Sequence, residues 1–223
     1  MALEFPDPEL ADKDGLLAAG GNLETDTLLN AYVSGIFPWY AAGSPILWWS
    51  PDPRMVMFPG KMKISHSLSQ SIRNKRYEVL LDANFESVIN QCATLPRKGQ
   101  SGTWITAEMI EAYVTLHRDG YAHSVEIYME NQLAGGLYGV SLGGIFFGES
   151  MFHLVSDSSK IALFHLTQIL SEWNFDLIDV QQSTEHLKRL GAEEIPRSRF
   201  LEILKVSLKK KTKRGNWGTL SRE

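Results

Sequence analysis

The sequence predicts an α+β protein: a small N-terminal unit followed by a domain with a mixed, largely antiparallel sheet. Two observations carry the larger domain. Three strand-like runs, "HSVEIYM" (123–129), "LAGGLYGVSL" (133–142) and "GIFFGESMF" (144–152), are joined only by "ENQ" and "GG", which implies antiparallel hairpins. A helical pattern then fills 158–173 and the strand-like "FDLIDVQ" (175–181) follows it, the order expected of an α+β sheet. A third observation sets the N-terminal part aside. Five of the nine prolines lie between positions 38 and 59, so no long helix runs there.

The elements follow in order. "DTLLNAYVS" (26–34) reads as a short helix with Thr25 as N-cap and Gly35 stopping it. The segment from 35 to 60 is too aromatic for a linker, with Phe37, Trp39, Tyr40, Trp48 and Trp49. It is expected to fold as loops and short strands in a domain spanning 1–60, with 61–223 forming the second domain. A helix near 65–74, a strand over "YEVLLD" (77–82) and a helix through "FESVINQCA" come next. Thr106 is a plausible N-cap for a helix carrying Met109, Ile110, Tyr113 and Val114 at helical spacing, with Gly120 beyond its end. The 158–173 helix places Ala162, Leu166, Ile169, Leu170 and Trp173 on one side. Two short helices are expected to close the chain.

Composition excludes several classes. Hydrophobic content of 43% with 22% charged residues is ordinary for a globular protein, and no apolar run is long enough to span a bilayer. The acidic, Pro-containing start "MALEFPDPELADKDG" is no cationic secretory signal. A lone Cys92 permits no internal disulfide and fits a reducing cytoplasm. The six histidines lack ligand spacing, so no metal site is expected. A net charge of −4 argues against a general nucleic-acid coat, though "KMKISHSLSQSIRNKR" (61–76) and "KVSLKKKTKRGNW" (205–217) are locally basic. Solvated helix ends and a frayed terminus are the plainer reading of both runs.

Several residues could carry chemistry. In "IFFGESMFH" (145–153) Glu149 stands among apolar side chains, a costly place for a charge without a cationic partner. Strand alternation groups it with Phe147 and Met151, facing either solvent or a pocket. In "FDLIDVQQS", Asp179 and Gln181 share a face with Leu177 and could present a fixed polar pair. The polar end of a strand meeting solvent is the plainer reading of both. The tryptophans could form core or stack on a nucleobase. "GGLYGV" (135–140) suggests close backbone approach in a hairpin rather than a dinucleotide fingerprint, and "GES" lacks the G-x-S-x-G elbow.

Taken together, "GLLAAGGNL", "AYVSGIFPWY", "PILWWSPDPR", "GTWIT", "GGLYGV", "GESMF" and "IDVQ" resemble the leucyl/phenylalanyl-tRNA–protein transferases from about Phe5 to Leu204. The resemblance implies a C-terminal domain like the GNAT-type N-acyltransferases. It also implies transfer of Leu or Phe, sometimes Met, from charged tRNA (Leu-tRNA or Phe-tRNA) to an N-terminal Arg or Lys of a protein. That transfer marks the acceptor for N-end-rule degradation. By the same resemblance Asp179 and Gln181 are the catalytic pair, Glu149 faces the acceptor's basic side chain, and Trp39 and Trp104 hold the terminal adenosine. Leu137, Phe146, Leu163, Leu166, Leu170 and Ile178 line the slot for the transferred side chain. Arg73, Lys75 and Arg76 are assigned to the tRNA body, although His66 and Gln70 stand where more Arg is expected. No cofactor, metal or membrane partner is implied, and a cytoplasmic monomer is expected. Two rivals remain: an acetyl-CoA-dependent N-acetyltransferase, disfavoured because "HLVSDSSK" lacks the glycines of a pyrophosphate loop, and a non-catalytic module that recognises basic N-termini.

Overall fold

Barred from helix by its prolines, the N-terminal region makes a three-stranded antiparallel sheet. A computed structural model of the chain describes residues 3–74, 76–95 and 104–220. The small sheet holds β1 (Leu16–Ala19), β2 (Phe37–Pro38) and β3 (Leu47–Trp49) in the order β1-β3-β2, with α1 (Thr25–Val33) between the first two strands. Glu24, not Thr25, occupies the N-cap of α1 and makes no side-chain cap. The Thr25 hydroxyl instead donates to Asp119 at 3.2 Å, so a tertiary bond takes the group expected to cap. Gly35 ends the helix as expected, at φ +75° with its N–H on the Tyr32 carbonyl.

The chain continues through β4 (Arg54–Met57), α2 (His66–Asn74), β5 (Glu78–Leu81), α3 (Phe85–Thr94) and α4 (Ala107–Arg118). The Thr106 hydroxyl caps α4 by accepting the Met109 N–H. Then come β6 (Ala122–Met129), β7 (Gln132–Leu142), β8 (Ile145–His153), α5 (Ser158–Glu172) and β9 (Leu177–Gln181). The last elements are α6 (Glu185–Arg189), β10 (Glu193–Ile195), α7 (Arg197–Ser207) and α8 (Trp217–Leu220). Seven strands form the large sheet in the order β10-β4-β9-β8-β7-β6-β5. Every pair in it is antiparallel except β8–β9. The expected α+β architecture with a mixed, largely antiparallel sheet is what the chain adopts.

Strand alternation sorts the core into two layers. Val56, Tyr138, Val140, Phe147 and Leu177 face a cluster shared with Tyr32, Val88, Tyr113 and Phe200. Met55, Met57, Val125, Leu137, Phe146 and Ile178 face the other, packed against Leu163, Leu166 and Leu170 of α5. The three-residue β10 was not expected. "EEI" has no apolar alternation, and it is a strand only because β4 offers it an edge.

The basic C-terminal segment is not frayed. Trp217 is fully buried and stacks on His123 with ring centres 4.0 Å apart. Lys210 pairs with Asp176 at 2.6 Å, Lys213 lies over the Trp173 ring, and Arg214 lies over Tyr121. A single large aromatic anchors the run, and three of its cations are engaged inside the protein.

Candidate active site

The site is built where two strands part. β8 and β9 pair in parallel from Ile145 and Leu177 to Phe147 and Asp179, and no further. Beyond that point β8 continues beside β7, whereas β9 turns at Gln181 against β4. Glu149 on one strand and Gln181 on the other stand across the opening.

Glu149 owes its direction to a bulge. Tyr138 pairs with Ser150 and Gly139 with Gly148, so Glu149 is the extra residue of β8. Glycine at 139 permits the close approach, since a Cβ there would meet the Phe147 carbonyl oxygen at 2.2 Å. The expected grouping of Phe147, Glu149 and Met151 therefore fails. Phe147 packs in the first core layer, Met151 borders the second, and Phe152 belongs to the first. One inserted residue exchanges the two faces for the rest of the strand.

The Glu149 carboxyl is buried to 9% exposure and accepts three hydrogen bonds. Oε1 takes the Tyr32 hydroxyl at 2.7 Å and the Gln181 Nε2 at 2.9 Å, and Oε2 takes the Tyr113 hydroxyl at 3.1 Å. None of these partners is cationic. Burial raises Glu149 to about 7 against the lowering pull of its hydrogen bonds, and the Asp179 charge adds to the rise. Tyr32 and Tyr113 also touch each other through their hydroxyls, and burial followed by the Glu149 charge pushes both phenols up. Three contacts join the two hydroxyls and the carboxyl, but the hydroxyls supply only two protons. The third proton is present only when Glu149 is protonated. A carboxylate has about four lone-pair positions, so three accepted bonds leave room for one more donor.

Asp179 lies beneath this opening and is fully buried. Arg54 grips it with Nε on Oδ1 at 2.8 Å and Nη2 on Oδ2 at 2.7 Å, while Oδ1 also accepts the Gln181 backbone N–H at 3.0 Å. The expected contact between Asp179 and Gln181 thus exists through the backbone. Gln181 sits at φ +66°, the left-handed region. Its side-chain orientation follows from chemistry: Nε2 donates to a carboxylate that would repel Oε1.

A cavity of about 800 Å³ opens over Glu149 and Gln181. Leu137, Phe146, Leu163, Leu166 and Ile178 form an apolar wall, and Trp39 and Trp104 stand on its lining. Trp39 is 36% exposed and packs edge-on against Trp49. Polar residues also line it, among them His153, Asp157, Ser159, Lys160 and His186.

Two residues of the expected catalytic and side-chain pocket set do not line this cavity. Leu170 is fully buried in the second core layer, one turn or about 6 Å beyond Leu166 along α5, and Asp179 is covered by Arg54 and Gln181. Arg73 and Arg76 are exposed and outside the cavity lining, while Lys75 lies outside the described residues. Tyr32, Tyr113 and Arg54 were missed. Tyr32 and Arg54 lie in quoted segments, "AYVSGIFPWY" and "PILWWSPDPR", but Tyr113 reads only as a core residue of α4. Among the described residues no group of three or more His, Cys, Asp or Glu is placed to hold a metal ion, and none of their helices is long and apolar enough to cross a membrane.

In this α+β sheet the parting strands frame an apolar slot beside a buried acid and an amide. Comparison with known proteins gives the family. Residues 56–205 match the model described as leucyl/phenylalanyl-tRNA protein transferase, and residues 21–52 match the model of its N-terminal domain. The chain is 55% identical over 213 residues to the leucyl/phenylalanyl-tRNA–protein transferase of Myxococcus xanthus (strain DK1622), covering 96% of this chain and 91% of that relative. It is 53% identical over 213 residues to the one from Legionella pneumophila (strain Paris), covering 96% and 95%. The chain belongs to the leucyl/phenylalanyl-tRNA–protein transferase family. A GCN5-related N-acetyltransferase from Kribbella flavida aligns more distantly, at TM-score 0.36 and 13% identity over 74% of this chain and 59% of that one.

Proposed function

We propose that this protein moves Leu or Phe, sometimes Met, from charged tRNA to the α-amine of an acceptor whose N-terminal residue is Arg or Lys. The observation that supports it best is one cavity in which an apolar wall meets the hydrogen-bonded pair Glu149 and Gln181. The wall of Leu137, Phe146, Leu163, Leu166 and Ile178 takes the transferred side chain and has nothing to satisfy a polar one. Trp39 and Trp104 offer flat faces to the terminal adenosine. Glu149 takes the acceptor's guanidinium or ammonium on its remaining lone pair, a charge-assisted contact that neutral or acidic side chains cannot make.

The reaction follows from the substrates. The acceptor α-amine, with a free pKa near ~8, loses its proton and attacks the ester carbonyl carbon. Gln181 Oε1, held outward because Nε2 is bound to Glu149, accepts a hydrogen bond from that amine and aims it. A C–N bond forms and the bond from the carbonyl carbon to the ribose oxygen breaks. The ammonium has already given one proton to water, and the leaving oxygen takes a second from the attacking nitrogen, directly or through water. An amide is too weak a base to keep that proton, so positioning supplies most of the rate.

The same reading assigns Arg73, Lys75 and Arg76 to the tRNA body and a cytoplasmic monomer to the whole. It keeps a small N-terminal domain over 1–60 and a larger one over 61–223, although β4 of the first pairs with β9 and β10 in the larger sheet. The test is incubation with radiolabelled Leu-tRNA and an Arg-starting peptide. Label is expected on that peptide and absent from an Asp-starting control. An unlabelled Arg peptide overturns the proposal.

A further inference from the structure

Arg54 comes from the Pro-rich "PDPR", far in sequence from the strands that frame the site. Its side chain is 1% exposed, and the guanidinium lies between the rings of Phe37 and Phe200 at 4.8 and 4.6 Å. Nη1 has no hydrogen-bond partner among the described residues. A buried ion pair of this kind is weak evidence for stability, because apolar replacements of similar volume are often neutral or better. Its geometry points elsewhere. Asp179 Oδ1 accepts both Arg54 Nε and the Gln181 N–H, so Arg54 fixes the oxygen that anchors the Gln181 backbone. That anchor sits at the bulge between Met55 and Val56, where β4 meets β9, and Gln181 there takes φ +66°. A left-handed glutamine persists only where its surroundings hold it.

We propose that Arg54 is a positioning residue for acyl transfer, clamping Asp179 so that Asp179 holds Gln181 in the left-handed turn that presents its amide to Glu149 and the cavity. Asp179 is then a mount, not a base. It is fully buried, and both oxygens are occupied. Lysine cannot replace Arg54, because one ammonium supplies neither two parallel N–H bonds nor a flat face for the two rings.

The rate arm of the test rests on the proposed acyl transfer; the backbone arm does not. Arg54→Lys is expected to lower kcat about tenfold, since small misplacements at a reacting centre are costly, with KM for charged tRNA within about twofold. In a Gln181→Ala background the same substitution is expected to change kcat by less than about twofold, because residues acting as one unit are not additive. Amide hydrogen exchange at Gln181, read by NMR without substrate, is expected to speed up about tenfold in Arg54→Lys. Equal losses in both backgrounds, or unchanged exchange at Gln181, overturn the proposal. If Arg54→Lys does not fold, Arg54→Met/Asp179→Leu removes both charges together. The proposal then expects a folded protein with fast Gln181 exchange and turnover at the Gln181→Ala level, and wild-type turnover in that variant overturns it. A wild-type protein that transfers nothing sinks the functional reading alone, and the exchange arm still decides the role of Arg54.

Discussion

Two buried acids on the same sheet have opposite fates. Asp82, at the end of β5, accepts the Ser124 N–H at 2.8 Å, His123 Nδ1 at 2.9 Å and the Trp217 N–H at 2.7 Å. Glu149, on β8, also accepts three hydrogen bonds. Both are nearly excluded from water. Asp82, however, is enclosed by the segment it pins, whereas Glu149 lines a cavity and none of its partners is a backbone group. Burial and hydrogen bonding are therefore shared by an enclosed structural acid and by the acid to which the proposed function gives a role. What separates them is a side that faces open volume.

The largest expected effect tests the enclosed acid. Trp217→Ala empties the space beside His123 and should cost about 3–5 kcal/mol of stability, as large aromatic truncations do. Urea unfolding measures it, and transfer per folded molecule should stay unchanged at low temperature. Loss of transfer without loss of stability would move the C-terminal segment into the site.

At the open acid the signs reverse. Glu149→Gln should reduce kcat/KM for an Arg-starting peptide about 100-fold, the scale of truncating one member of a desolvated charge pair. Stability should not fall. Glu149 is raised to about 7 in the folded protein, so its contribution is full below the ordinary carboxylate range and is lost as pH rises through about 7. The variant should therefore melt above the wild type at pH 8, and a lower melting temperature there would make Glu149 structural like Asp82.

The third expectation is a pH profile. On the proposed function ionised Glu149 receives the cation, so with Glu149 raised to about 7 the KM for the Arg peptide should fall about tenfold from pH 6 to pH 8. Glu149→Gln should flatten that dependence, and an equal slope in both proteins would place the titration elsewhere. The smallest effect concerns the basic residues at the end of α2 and just after it. The Arg73/Lys75/Arg76 triple alanine variant should weaken charged-tRNA binding severalfold at low salt and reduce the logarithmic salt slope by about 2–3. An unchanged slope would move the tRNA body to another patch.

Much of this protein is legible in its local pattern. The three hairpin strands, the Thr106 cap, the helix over 158–173 and the strand ending in Gln181 follow from spacing and turn residues. So does the oddness of Glu149, because a carboxylate among phenylalanines is visible in any reading of the chain. Pattern failed where one extra residue or one distant partner decides. The bulge at Glu149 reversed the faces assigned to Met151 and Phe152, and β10 exists only because β4 offers an edge.

Sequence alone determined most of the elements, their type and the residues worth suspecting, since these depend on neighbours within a few positions. Only the tertiary structure decided what those residues meet. Tyr32, Tyr113 and Gln181 converge on Glu149 across 117, 36 and 32 positions, and Arg54 reaches Asp179 across 125. A hydrogen bond depends on distance in space, and no local period encodes separations of that length.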